Sequence, residues 1–334
     1  MRGRVGVWLV VGWFALGGST ACKKGHDNNG GGGAGGAGAD GGVMEQGGAG
    51  GAAPVDIPTT PGRHDITIQS GGQNRHFIVH IPVAYTGASA VPVVFFFHGA
   101  GSSADQGYSS RADIRALSES ENFIFVVPNG QNATDNDGDS ANWNAGWCCI
   151  NPARPSDVEF FRDIVLVLEA GLNIDPNRVH PTGFSNGCSL VHRLAADAPD
   201  LVASAACSSG SVGGTNQDYP EYVVDPQAPV AMLHAHGDAD PVVPYDGSLN
   251  PNGPLTPYSF DETISLWVQN NGCDPTPSSQ SMPVGAFNAV VDSYSGCTSG
   301  ADVVGATFEG MDHRWPPDAA TPFMITFVLD HPKP

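Results

Sequence analysis

Three side chains far apart in the chain have the types needed for acyl transfer. They are the serine of Gly183-Phe184-Ser185-Asn186-Gly187, the histidine of Asp312-His313-Arg314-Trp315-Pro316, and an aspartate in His236-Gly237-Asp238-Ala239-Asp240-Pro241. Glycine on either side of a serine removes the side chains that would collide at a sharp strand-to-helix turn, and leaves the hydroxyl exposed at the helix N-terminus. Such a hydroxyl attacks a carbonyl carbon only when a base takes its proton. A neutral imidazole in turn needs a carboxylate to hold its tautomer, and the chain order expected on this kind of turn is Ser, Asp, His. Of eleven histidines only His313 and His331 lie beyond residue 240; His331 stands close to the C-terminus, so His313 is the expected base. Spacing does not choose between Asp238 and Asp240. Donors for the developing oxyanion, each worth about 2.7–4 kcal/mol of barrier, are expected from the backbone N–H of Asn186 and of Ala100, the latter in the turn His98-Gly99-Ala100-Gly101.

The elements that must position these residues follow from the apolar pattern. Strands are expected at 66–69, 76–81, 93–98, 124–127, 179–183, 203–208, 230–236 and 303–308, with helices at 112–121, 158–172, 186–198, 260–271 and 322–329. Central strands such as Val93-Val94-Phe95-Phe96-Phe97 are apolar at every position, as a parallel sheet covered on both faces requires. The class is therefore α/β, with a central, mostly parallel sheet and helices on both faces. The three motifs and the glycine turn all follow strands, where such sheets bind ligands.

Composition removes several classes of function. The chain of 334 residues carries 14 Lys+Arg against 34 Asp+Glu, a formal charge of −20, which argues against nucleic acid or an anionic membrane surface as partner. Lys23, Lys24 and Lys333 are the only lysines, so the body has none for a phosphate-cradling loop or a Schiff base. Residues 1–21 read as a signal peptide: Arg2 and Arg4 precede an apolar run from Val5 to Leu16, and Ser19-Thr20-Ala21 forms a small-residue cleavage site. Twelve apolar residues rise about 18 Å as a helix, short of a hydrocarbon core of about 30 Å. Cys22 follows at once, in an arrangement that resembles the lipobox of bacterial lipoproteins, although that family has Leu where Ser19 stands. Acylation of Cys22 and plain cleavage at the same bond both stay open. Thirteen Gly and six Ala among residues 30–53 predict a flexible tether over 22–54, ahead of one catalytic domain over 55–334.

With Cys22 set aside, six cysteines remain for bridges in an exported protein. Cys273 and Cys297 are expected to close a local loop, and Cys148 and Cys149 each to reach Cys188 or Cys207, since a bridge between neighbours is strained. No metal is expected. His234 and His236 share a strand face without a third ligand at a suitable spacing, and the acidic run 135–139 has Gly146 where a calcium loop needs its closing Glu.

Taken together, Phe97-His98-Gly99-Ala100-Gly101, Trp143-Asn144-Ala145-Gly146-Trp147-Cys148-Cys149, Asp157-Val158-Glu159-Phe160, the Ser185 turn, His236 to Tyr245 and Asp312 to Pro316 resemble one group. It comprises the α/β-hydrolases related to extracellular poly(3-hydroxybutyrate) depolymerases and to the feruloyl and acetylxylan esterases of carbohydrate esterase family one. The resemblance spans nearly all of the body and implies the α/β-hydrolase fold. Its acid is the Asp before Pro-x-Val-Pro, which maps to Asp240, so the implied triad is Ser185, Asp240 and His313. This sequence departs from the group at Asp312, where Gly is usual before the histidine, and at Cys188, where Ala or Gly is usual. The implied activity is ester hydrolysis without a cofactor, on a polymeric or oligomeric ester: feruloyl or acetyl esters of plant polysaccharide, or hydroxyalkanoate esters. Trp143, Trp147, Tyr245 and Trp315, all near the motif loops, are expected to form an aromatic substrate wall. The alternative is a catalytically silent surface lipoprotein that binds polysaccharide through the same cleft.

Overall fold

Why β3 (Val91–Phe97) sits in the middle of the protein is visible in its side chains, every one of which is buried. Val91, Val93, Phe95 and Phe97 enter one hydrophobic cluster, with residues of α3 (Asp157–Gly171), α4 (Asn186–Asp197) and α5 (Phe260–Asn270). Val94 and Phe96 enter the other, with residues of α1 (Ala104–Ser110), α2 (Ala112–Glu121) and α6 (Thr321–Asp330). Alternate residues of a strand point to opposite faces, so a continuous apolar run implies a helix layer on each side. The computed structural model describes residues 55–131, 140–213, 222–248 and 257–333. The expected leader, the tether, Cys22 and the acidic run 135–139 lie outside the described residues.

The remaining strands are β1 (Gly62–Ser70), β2 (Gln73–Ile81), β4 (Ile124–Pro128), β5 (Ile174–Phe184), β6 (Ser204–Ser208), β7 (Ala231–Gly237), β8 (Ser278–Val284), β9 (Phe287–Tyr294) and β10 (Val303–Phe308). They form one sheet in the order β1-β2-β4-β3-β5-β6-β7-β10-β9-β8. The run from β4 to β10 is parallel, and antiparallel hairpins close both edges. Each expected strand and helix lies within one of these elements or overlaps it by all but a residue or two. Pro181, unusual inside a strand, lies in β5 one residue before the ladder with β6 opens at Thr182.

Among the described residues, strands β8 and β9 and helix α1 have no counterpart among the expected strands and helices. Strand β8, sequence SSQSMPV, is exposed over all but its last residue, so no apolar alternation marks it, and it is held by pairing with β9. Helix α1, sequence ADQGYSS, is rich in weak helix formers and is capped by the Ser103 hydroxyl, which accepts from the Gln106 amide. The cysteine expectation is also corrected. Cys188 of α4 and Cys207 of β6 are bonded to each other, because α4 packs directly on β6 and both residues are buried there. Cys148 and Cys149 sit in the loop beyond β4 with free thiols 3.1 Å apart. Cys273 and Cys297 are bonded as expected.

Candidate active site

The turn after β5 has the tight geometry that its glycines permit. A Cβ on Gly183 would lie 2.6 Å from the Gly187 carbonyl oxygen, and one on Gly187 only 2.0 Å from that of Phe97. Ser185 between them adopts φ +56°, ψ −122°, a region that side-chain-bearing residues seldom occupy, and its N–H donates to the Ser208 carbonyl at 2.9 Å. The elbow is thus locked to the end of β6, with α4 starting immediately behind it.

Loops after three strands of the parallel run bring the other groups to this point. His313, beyond β10, has Nε2 2.9 Å from Ser185 Oγ and Nδ1 2.7 Å from Asp240 Oδ2, beyond β7. Its ring lies against Phe184, with centroids 5.0 Å apart, and its loop is tied down by the Ser209 hydroxyl, which donates to the Arg314 carbonyl at 3.0 Å. Asp240 is buried; its Oδ1 accepts from the Val242 and Val243 amides at 2.8 and 2.9 Å. Burial works to raise its pKa, but hydrogen bonds from His236, His313 and the backbone outweigh it and hold the carboxyl well below its ordinary range. Asp238 is elsewhere: its Oδ1 accepts from the Gly310 amide at 2.6 Å in an exposed turn.

The glycine turn after β3 is braced by two side chains. The Gly130 amide donates to His98 Nε2 at 3.1 Å, so the ring proton is on Nδ1, which donates to the Gly99 carbonyl at 2.9 Å. Holding that carbonyl orients the Gly99–Ala100 peptide and hence the Ala100 N–H. Burial pushes His98 down to about 4, so the ring stays neutral. Trp143 donates its indole N–H to the His98 carbonyl at 2.8 Å, and its backbone pairs with the Asn186 side chain at 2.7 and 3.1 Å. Loop 98–101 and the elbow are therefore joined through Trp143.

A cavity of about 430 Å³ opens here, lined by Phe96, Ala100, Arg111, Phe184, His313 and Trp315 among others. Of the four aromatic residues expected at the substrate wall, only Trp315 lines it. Trp143 is wholly buried beneath it, edge-on to Phe97. Trp147 is buried and donates to the Ser189 hydroxyl at 2.9 Å. Tyr245 stacks on Phe260 and hydrogen-bonds Thr307, facing a different depression. Sequence reasoning did not single out Phe184 or Arg111. Phe184 was discoverable, since it is the x of G-x-S; Arg111 carried no signal.

One group has the composition of a metal site. Cys188, His192, Cys207 and His234 lie within 4.8 Å of one another, all buried. The two sulfurs are bonded to each other. The indole N–H of Trp267 meets His192 Nδ1 at 2.9 Å, so that ring carries its proton on Nε2, the atom facing the cluster. These residues do not fit a resident cation.

The sheet order, with a helix layer on each face and an elbow after β5, defines an α/β hydrolase. The chain belongs to the Phospholipase/Carboxylesterase family, which matches residues 80–251. It is 29% identical over 272 residues to Feruloyl esterase D of Neurospora crassa, covering 77% of this chain and 80% of that protein. It is 28% identical to Feruloyl esterase C of Emericella nidulans over 75% of this chain and 82% of that one. Among solved structures, an acetyl xylan esterase from Aspergillus awamori superposes with a TM-score of 0.56 at 17% identity, covering 79% of this chain and 99% of that one, a likeness of fold. The protein is a carboxylic ester hydrolase.

Proposed function

We propose that this chain is an exported serine esterase in which Ser185, His313 and Asp240 form the catalytic triad. The observation that carries the proposal is the unbroken line of two hydrogen bonds, 2.9 Å and 2.7 Å, from the Ser185 hydroxyl through the His313 ring to Asp240. His313 Nε2 takes the Ser185 proton as Oγ attacks the ester carbonyl; Asp240 holds the proton on Nδ1 and stabilises the imidazolium that forms. The Ala100 and Asn186 N–H groups receive the oxyanion. Collapse expels the alcohol, which takes the proton from His313, and water then releases the acid by the same steps in reverse.

The substrates proposed are feruloyl or acetyl esters of plant polysaccharide. Support comes from the feruloyl esterases among the relatives and from a cavity walled by Phe96, Phe184 and Trp315, whose size suits an aromatic acyl group. Export is supported by the two disulfides, which persist in oxidising compartments, and by the leader-like residues 1–21.

The test is hydrolysis of p-nitrophenyl acetate by the wild-type chain and by Ser185→Ala, together with labelling by a serine-directed phosphonate. We expect turnover and labelling in the wild type, and a loss on the order of 10⁶-fold in kcat in the variant. Silence of the wild type in both assays would instead favour a polysaccharide binder. A comparison of methyl ferulate, acetylated xylan and hydroxybutyrate oligomers then ranks the acyl groups; preference for the oligomers would sink the polysaccharide-ester reading.

A further inference from the structure

Behind Asp240, on the side away from the cleft, a row of buried rings runs into the core. Trp267 Nε1 lies 2.9 Å from His192 Nδ1, and His192 Nε2 lies 3.2 Å from His234 Nδ1. His234 Nε2 is 3.3 Å from His236 Nδ1. His236 Nε2, finally, stands 3.0 Å from the Val243 carbonyl oxygen and 3.3 Å from Asp240 Oδ2. All four rings are buried.

The polarity of the row follows from its ends. An indole N–H only donates, so His192 Nδ1 accepts, and a neutral imidazole then carries its proton on Nε2. That proton faces His234 Nδ1, which accepts in turn, and the same step repeats at His236. The other end demands the same direction independently: with its proton on Nδ1, His236 would aim a lone pair at a carbonyl and a carboxylate oxygen. A charged ring anywhere along the row would set two N–H groups against each other. Burial opposes that, holding His192 down at about 3 and His234 well below its ordinary value.

We propose that His236 is a positioning residue for the reaction assigned above: a one-way row of neutral imidazoles, begun by Trp267, ends in an Nε2–H shared between the Val243 carbonyl and Asp240, and keeps Oδ2 turned toward His313 Nδ1. The Val242 and Val243 amides hold the other oxygen, so His236 supplies the only ring contact to the carboxylate besides His313 among the described residues. The proposal rests on the triad reading.

Two measurements test it on the full chain. Long-range ¹⁵N–¹H NMR of the labelled wild-type protein reads each tautomer. His192, His234 and His236 should all be neutral with the proton on Nε2, and a proton on Nδ1 or a charged ring at any of them overturns the row. For kinetics, His236→Gln keeps a donor toward Asp240 and an acceptor toward His234, whereas His236→Leu keeps neither. On p-nitrophenyl acetate we expect His236→Leu to lose about ten- to a hundred-fold in kcat, the worth of a hydrogen bond to a charged group, with KM within about two-fold, and His236→Gln to recover most of the loss. A folded His236→Leu with wild-type kcat, or a His236→Gln no better than it, overturns the proposal. If His236→Leu does not fold, the tautomers of the unmodified protein decide. Failure of the triad reading would look different, because Ser185→Ala would then retain hydrolysis.

Discussion

Ser185 pays for its exposure with an uncommon backbone conformation, and its neighbours are chosen so that the conformation persists. The side chains around it divide by chemistry. His313 and Asp240 lie in direct line with its hydroxyl, whereas His98 and Trp143 touch the loop that carries Ala100. On the triad reading, Asp240→Asn should lower kcat on the order of 10⁴-fold while leaving the fold intact, because an amide admits the wrong imidazole tautomer. Retention of more than a tenth of wild-type kcat would count against Asp240 as the orienting acid. Trp143→Phe keeps an aromatic ring but removes the donor to the His98 carbonyl and, being smaller than the buried indole, leaves a small cavity. Leaving that acceptor unpaired costs about 1–3 kcal/mol in urea unfolding. Because loop 98–101 loosens, kcat on p-nitrophenyl acetate should fall with it; unchanged stability and unchanged kcat would show that the brace is idle.

Among the elements, α4 is the one on which the site depends most. It begins at the elbow, is buried along almost its whole length, and is bonded to β6 through Cys188–Cys207. Gly187→Ala sets a methyl 2.0 Å from the Phe97 carbonyl oxygen, so α4 must shift away from β3. We expect a loss of about 1–3 kcal/mol in stability together with lost activity, since the shift moves Ser185. A variant with wild-type melting temperature and turnover would refute the close approach. Replacing both Cys188 and Cys207 by Ser should cost about 2–4 kcal/mol, measurable as a lower urea midpoint.

At the scale of the whole molecule the histidines govern the response to acid. His98, His180 and His192 are held at about 4, 3 and 3 by burial, and His234 is held well below its ordinary value by the same cause. In the unfolded chain these rings titrate near 6.5, so between that pH and their folded values the unfolded state binds more protons. Stability should therefore rise with pH through this window and fall on acidification, by about 1.4 kcal/mol per pH unit for each ring that stays neutral in the fold. The depressed Asp240 acts in the same direction lower down: its contribution is present above about pH 4 and is lost as pH drops toward its folded value. Urea unfolding at pH 7.5, 6.5 and 5.5 measures the slope, and equal free energies at all three would show that the rings are not neutral.

The order of strands and helices was legible because buried parallel strands must be apolar at every position, and the Ser185 turn was legible because only glycine fits at 183 and 187, two residues to either side. Edge strand β8 was not: it is stabilised by pairing with β9, not by burial, so its residues bear no apolar signature. Nor did local pattern distinguish Asp238 from Asp240, two residues apart on the same turn; the family resemblance pointed to Asp240, and the approach of the β10 loop separates the two in space, setting His313 against one and Gly310 against the other. The aromatic residues make the same point, since a tryptophan near a motif can brace a loop from below, as Trp143 does, or face the cavity, as Trp315 does. Sequence alone determined which residue types were available for chemistry and the class of fold that carries them, because periodicity and glycine sterics are local. Which sulfurs bond, which rings face the cavity and which imidazoles stand in a row behind Asp240 were decided by tertiary structure, because these contacts join residues that only the packing of α4, α5, β6 and β7 brings within hydrogen-bonding reach.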